Sequence, residues 1–426
     1  MDFDLPPDLI AYLARLDAFI AAEITPLQAQ DDNERFFDHR REWARTDFDG
    51  GGLPRPEWEA LLDVAKQRAD AAGFYRFSLP TEFGGDGGSN LWMAVIREHL
   101  AAKGLGLFND LQNEHSVVGN FPLIVMLRDF GTPAQKDTFI RGALTGQVRI
   151  AFGLTEPEHG SDATHMASRA VPEARDGAAG WRIDGEKMWT TGMHTASHCC
   201  VFARTSGAAG AALGITAFLV PAQAPGVKVE EYLWTFNMPT DHPRVSLNNV
   251  WVADDAVFGA PGHGLALAQA FVHENRIRQA ASSLGAASFC VAESVRYANQ
   301  RKPFGQPLSV NQGIQFPLVE LATQVEMLRL LIRKTAWQMD SMAHPEVEKR
   351  LSDKVSMCNY WANRLVCEAA DRAMQVHGGI GYSRHKPFEH IYRHHRRYRI
   401  TEGSEEIQMR KVAGYLFGFM GPNRAG

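Results

Sequence analysis

The spacing of apolar and polar positions changes twice along the chain and divides it into three stretches. Over residues 1–146 the apolar positions recur at helical spacing. Residues 11–24 are apolar and Ala-rich with Pro26 as a stop, and 56–72 form a second helix with Pro56 near its first turn. Further helices are predicted over 92–102, 121–129 and 132–144. The last opens on Gly131-Thr132-Pro133, which supplies a break, an N-cap and a proline at the first helical position. Residues 79–88 are a loop by their glycines. Over 147–258 the period falls to two. Trp181-Arg182-Ile183 alternates, Asp184-Gly185 predicts a hairpin turn, and Lys187-Met188-Trp189 resumes the strand. Apolar or alternating runs at 198–203, 215–220 and 245–252 add strands of a small barrel or sandwich. Over 259–426 the helical period returns in longer runs. Ile314, Leu318, Leu321, Val325, Leu328 and Ile332 step by four and three, the seam of a bundle helix. Two more long helices are predicted over 264–300 and 346–376. The fold class is α+β and multidomain.

Composition narrows the function classes. Apolar content of 45% and charged content of 22% are those of an ordinary soluble globular protein. A net charge of −5 argues against a nucleic-acid footprint or a polybasic membrane patch. The start, Met1-Asp2-Phe3-Asp4, is acidic and lacks the regions of a signal peptide. No apolar run is long enough for a membrane span. The five cysteines have no zinc or disulfide spacing, so buried or spare thiols in a reducing cytoplasm are expected, with no metal.

Five stretches carry candidate chemistry. Gly153-Leu154-Thr155-Glu156-Pro157-Glu158-His159-Gly160-Ser161 leaves a strand and offers amides and hydroxyls to a planar ring or a phosphate. By composition alone a plain polar turn is the simpler reading. In Lys187-Met188-Trp189-Thr190-Thr191-Gly192 an aromatic and hydroxyls end a strand beside a glycine; taken alone, Trp189 reads as a core aromatic. In Arg301-Lys302-Pro303-Phe304-Gly305, followed by Gln312, the arginine could reach a pyrophosphate or complement a helix C-terminus. The cluster Gln375-Val376-His377-Gly378-Gly379-Ile380-Gly381 follows a helix rather than a strand and so fails as a dinucleotide fingerprint. Last comes Thr401-Glu402-Gly403-Ser404-Glu405-Glu406. Here a glycine frees the backbone to bring one carboxylate against a flat partner, and Ser404 can cap a new helix.

In this order the five stretches resemble the acyl-CoA dehydrogenases. These are FAD-dependent flavoproteins with a helical N-terminal domain, a β-barrel or sandwich middle domain and a C-terminal four-helix bundle. The resemblance runs from about Pro80 to about residue 416 and implies domains at 1–146, 147–258 and 259–426. It implies an acyl-CoA substrate, dehydrogenated across its α,β bond, with Glu402 as the α-proton base and hydride passing to flavin N5. It places Phe152, Leu154 and Thr155 against the isoalloxazine and Ser161 near the pyrophosphate. Trp189 and Thr191 cover the flavin. Arg301, Phe304 and Gln312 reach the FAD of a neighbouring subunit, and Gln375 and Gly379 hold its adenosine half. Ser404, in place of the usual Thr, and Glu406 complete the cofactor set. Arg276 and Gly403 fall on the substrate side, Arg276 near the CoA moiety. The partners implied are an electron-transfer flavoprotein and further copies of the chain, as dimer or tetramer.

Some positions depart from the family pattern. Gly192 stands where many members have Asn. Asn275 stands where some place an alternative base, and the neighbouring Glu274 is turned about 100° away on a helix. The 237–245 segment is not the commonest form and leaves the acyl pocket open. An oxidase, a monooxygenase or a non-catalytic subunit on the same scaffold are the competing readings. The basic run over 385–399 is expected to be a solvated helix face with intersubunit ion pairs.

Overall fold

The computed structural model describes residues 4–110, 115–119 and 121–422; the first three residues of the acidic start lie outside it. Helix α1 (Pro7–Phe19) buries Leu9, Tyr12, Leu13 and Leu16, the stripe that its spacing predicts. It begins earlier than expected, and Pro26 does not stop it. The chain coils on through a wider turn at Ile20–Ile24 into Thr25–Ala29. Pro26 sits in the first turn of that last piece, where a missing N–H is tolerated. Helices α2 (Pro56–Ala71) and α3 (Asn90–Ala101) pack against α1. Helix α4 (Pro122–Phe130) precedes the Thr132 turn, where Thr132 and Gln135 form a reciprocal capping box.

The β region is one eight-stranded sheet. Its strands are β1 (Ile150–Gly153), β2 (Arg169–Pro172), β3 (Gly180–Met188), β4 (His198–Arg204), β5 (Ile215–Pro221), β6 (Val227–Tyr232), β7 (Pro243–Ala253) and β8 (Val257–Phe258). They run in the order β6-β7-β3-β2-β4-β5-β8, and β1 pairs in parallel with β4. The sheet curls, so that Trp181 of β3 meets Phe218 of β5 with ring centroids 5.6 Å apart. Strands β4 and β5 read as unbroken apolar runs because both faces are buried. Val201, Phe218 and Val220 face the inside of the curl, while Phe202, Ile215 and Leu219 face helical neighbours.

The hairpin expected at Asp184-Gly185 is not there: β3 runs straight through it, paired with β2 on one side and β7 on the other. Close packing explains the glycine. A Cβ on Gly185 would lie 2.2 Å from Ser168 Oγ. Asp184 accepts from the backbone N–H of Asn249 at 2.7 Å, which ties β3 to β7.

Helices α5 (Gly264–Gln300), α6 (Gln312–Asp340) and α7 (His344–His377) form the bundle. Helix α8 (Phe388–Tyr398) and helix α9 (Glu405–Leu416) pack on it. The α6 seam is buried at Leu318, Leu321, Val325, Leu328 and Ile332. The basic run is not a solvated face. One side of α8 buries His390, His394, His395 and Tyr398; Arg393 on this helix pairs with Glu389 and Glu42, and Arg399 just past its end pairs with Glu405. A helix of charged residues at this spacing is amphipathic, and neutral histidine supplies the buried side. All five cysteines are free and buried. Among the described residues no helix is long and apolar enough to cross a membrane.

Candidate active site

Three residues other than Gly, Asp and Asn hold a left-handed backbone among the described residues: Trp189 (φ 61°), Phe304 (φ 55°) and Glu402 (φ 55°). For side chains of this size the conformation is uncommon and strained, and such strain collects at functional sites. Each of the three lies in one of the stretches singled out above.

Glu402 occupies the turn between α8 and α9. Ser404 caps α9 by accepting from the Ile407 N–H. Two neighbours on α5 hold the glutamate. Asn275 Nδ2 donates to Glu402 Oε1 at 2.8 Å, and Arg276 Nε donates to the Glu402 carbonyl oxygen at 2.9 Å. Gly403 (φ 86°) is needed for space as well as conformation, because a Cβ there would sit 2.8 Å from Arg276 Nη2. Burial pulls the Arg276 guanidinium down to about 10, against the pull of Glu402. The arginine expected near CoA is therefore enclosed and committed to the Glu402 backbone. Glu274 points away, to Arg128 at 3.1 Å and Arg278 at 3.2 Å. Beyond Asn275, between α4 and α5, is a cavity of about 10 Å³, room for about one water. Val125, Met126, Phe130 and Phe271 supply its apolar wall.

The sheet supplies the facing stretches. Phe152 on β1 stacks on Phe271 of α5 with centroids 4.7 Å apart, next to the Asn275 turn of that helix. The Thr155 carbonyl accepts from the Met188 N–H at 2.9 Å, which joins the Thr155 loop to the Trp189 turn. Beneath them lies a pair that sequence reasoning missed. Lys187 and Glu156, both buried, meet at 2.8 Å, and Lys187 also donates to the Leu154 carbonyl. Glu156 further accepts from the Ala167 and Ser168 amides. Burial of Glu156 is outweighed by Lys187 and these amides, so its carboxyl sits below the ordinary range. The available signal was a lysine at an inward position of a strand, which demands a partner. Trp189 follows β3 rather than ending it and is 48% exposed. Thr191 Oγ1 lies 2.9 Å from His242 Nδ1, and the Gly192 N–H donates to the Asp241 carbonyl. No atom lies within 4 Å of the place a Gly192 side chain would fill. An exposed indole, free space and a fringe of hydroxyls and amides fit the flat ring of a flavin. Ser161 and Glu406 are exposed, and Ser404 is half-buried.

Arg301, Phe304, Gln312, Gln375 and Gly379 form a separate group. All are exposed. Stacking of Tyr297 on His377, with centroids 4.2 Å apart, brings the ends of α5 and α7 together and gathers these residues at one end of the bundle. About 25 residues of α5 lie between Arg276 and Arg301, roughly 40 Å of helix. The structure thus links Phe152 of the sheet to the α5 turn that holds Glu402, and leaves the Arg301 group at the far end of α5.

Comparison with known proteins shows the family. Family models described as the N-terminal, middle and C-terminal domains of acyl-CoA dehydrogenase match residues 55–147, 151–250 and 262–417. The chain is 32% identical to a 3-(aryl)acrylate reductase of Clostridium sporogenes over 83% of this chain and 90% of that protein. It is 30% identical to a glutaryl-CoA dehydrogenase of Desulfococcus multivorans over the full length of both. The structure resembles butyryl-CoA dehydrogenase from Megasphaera elsdenii with a TM-score of 0.79 at 26% identity, covering 98% of this chain and 100% of that one. The chain belongs to the acyl-CoA dehydrogenase family. It is an oxidoreductase of that class, and its cofactor is FAD.

Proposed function

We propose that the chain removes hydrogen across the α,β bond of an acyl-CoA thioester to give the 2-enoyl-CoA, with Glu402 as the base for the α proton. The observation that carries this reading is the strained Glu402 turn, held by Arg276 at its carbonyl and by Asn275 at its carboxylate. A strained residue fixed by buried donors is preorganised, which is what abstraction of a weakly acidic proton demands. The Asn275 amide can orient the carboxylate and cannot compete with it as a base. The Glu402 N–H is a candidate donor to the enolate oxygen, and one such donor contributes on the order of 3 kcal/mol. Bound FAD supplies the acceptor for the β hydride. Phe152, Leu154, Thr155, Ser161, Trp189, Thr191, Ser404 and Glu406 are the residues proposed to hold it.

A shared cofactor site explains the separate group. An FAD facing Glu402 lies too far along α5 for Arg301, Phe304, Gln312, Gln375 and Gly379 of the same chain, so these residues serve a second copy. The exposed Phe316, Val319, Met327, Leu330 and Trp337 of α6 give that copy an apolar surface to cover. One relative is named as a subunit of a caffeyl-CoA reductase-Etf complex, which favours an electron-transfer flavoprotein as redox partner. Two relatives are named as reductases, so the reverse direction, with Glu402 returning the proton, is the second reading.

Anaerobic titration of the flavoprotein with saturated acyl-CoAs tests the proposal. Bleaching by one member of the panel is expected. Glu402→Gln should keep its flavin and bind the same acyl-CoA without bleaching, and bleaching at the wild-type rate would place the base elsewhere. Reoxidation of the reduced protein by an enoyl-CoA, with no bleaching by its saturated partner, selects the second reading.

A further inference from the structure

The bundle contains a chain of buried polar side chains that the reaction itself does not call for. Ser283, Asn359, Asn363 and His395 are all fully buried in the Ala-rich contact of α5, α7 and α8. Groups of this kind are unfavourable in a core unless each finds a partner. Here the partners are one another. Asn363 Nδ2 donates to Asn359 Oδ1 at 3.2 Å and to the Tyr398 carbonyl at 3.1 Å. Asn359 Nδ2 donates to the Arg276 carbonyl at 3.0 Å. Ser283 Oγ donates to Asn363 Oδ1 at 2.6 Å, so the His395 Nδ1–H must donate to Ser283 Oγ across 2.9 Å. That order assigns the tautomer of His395, and burial keeps the ring neutral by pulling it down to about 3.

The two carbonyls at the ends of this chain are those that frame the Glu402 turn. Arg276 is the residue whose guanidinium holds the Glu402 carbonyl. Tyr398 ends α8, from which the turn departs. The asparagine pair therefore spans the gap between the helix that grips Glu402 and the helix that delivers it. Two hydrogen-bonded amides have fixed lengths and directions, whereas apolar contacts between the same helices would permit sliding.

We infer that Asn363, supported by Asn359, Ser283 and His395, is a positioning residue for Glu402: it fixes the end of α8 against Arg276 and so fixes where the carboxylate stands. The inference rests on Glu402 being the base.

The test is Asn363→Leu in the flavin-loaded protein, read by steady-state kinetics and by amide hydrogen exchange of residues 399–405. We expect kcat to fall roughly 10- to 100-fold, as a misplacement near 1 Å does. KM for the acyl-CoA should stay within about twofold and flavin content should be unchanged, because neither depends on the base. Exchange in 399–405 should quicken more than in the rest of the bundle. If kcat and exchange in that segment both match wild type, the inference is overturned; the same holds if exchange quickens evenly across the bundle while kcat per folded protein is unchanged. Should Asn363→Leu fail to fold, Ser283→Ala removes one link without adding bulk and is expected to show the same pattern at about threefold; wild-type values in both readouts overturn the inference. Exchange is measured without turnover. A loosened turn combined with an active Glu402→Gln enzyme would thus sink the base assignment, while a rigid turn in Asn363→Leu sinks the positioning role.

Discussion

Trp189 and Glu402 share a strained backbone but are held in opposite ways. Glu402 sits between two helices, and the side chains that hold it, Arg276 and Asn275, are buried. Trp189 stands at the mouth of a sheet with an exposed indole, and its turn is held by backbone bonds from Thr190 to Pro243 and from Gly192 to Asp241. The proposed role of Glu402 as base requires placement before substrate arrives, and a position built into the core meets that requirement. The proposed role of Trp189 as a wall for the flavin ring needs only that the indole wait at the surface, since the ring would supply the missing contacts. The support differs accordingly. A polar amide chain lies behind Glu402, and an ion pair, Lys187–Glu156, lies behind the Trp189 side.

Four exchanges can break or sharpen this comparison. The largest effect is expected at the ion pair. Lys187→Met leaves Glu156 buried without its cation and should destabilise the protein by about 3–5 kcal/mol in denaturant unfolding. It should also loosen flavin binding, because Lys187 braces the Leu154 carbonyl. A variant of wild-type stability would mean that the amides of Ala167 and Ser168 suffice for Glu156.

Next is Gly403→Ala. The added Cβ meets Arg276 in a left-handed backbone, so a loss of roughly 1–3 kcal/mol is expected, with turnover falling more than flavin affinity. Equal losses in both would erase the distinction between the two turns.

Trp189→Gly should act with opposite signs. Glycine relieves the left-handed strain, so the apoprotein should gain about 1 kcal/mol in thermal unfolding. Flavin affinity should fall about tenfold, the scale of one lost aromatic contact. A destabilised apoprotein would show that the indole is a structural group after all.

The smallest effect at neutral pH is expected from His390→Phe. Burial, with His39, Arg45 and Arg393 nearby, holds His390 well below the usual histidine range, and burial likewise brings His39 to about 3. Each ring is neutral when folded and takes a proton on unfolding below about pH 6.5. Their contribution is therefore complete above that pH and is lost as pH falls toward the folded values, by at most about 1.4 kcal/mol per pH unit and ring. The variant should flatten the decline between about pH 6 and pH 4, measured as denaturant stability against pH. An unchanged slope would show that His390 takes up no extra proton on unfolding.

The three textures of the chain were legible because burial imposes its period on residue choice. The α6 seam and the β5 run show one apolar face and two apolar faces, and both predicted their elements. The Glu402-Gly403-Ser404 order announced a turn and a cap for the same local reason: glycine and serine act within a few residues of themselves. Longer-range competition was invisible. Asp184-Gly185 has the chemistry of a hairpin, but pairing on both sides of β3 and the nearness of Ser168 used the glycine differently. The histidines of α8 look solvated in a string of charges, yet the helix face that carries them is buried.

Sequence by itself determined the order of the three regions and the residue types at each site, since these follow from local periodicity and local backbone freedom. Only the tertiary structure decided that Arg276 grips the Glu402 carbonyl, that Lys187 meets Glu156, and that Asn359 and Asn363 join the two helices around Glu402. Those contacts link residues from about 30 to more than 120 positions apart. Their geometry is set by how helices and sheet pack, which no local pattern records.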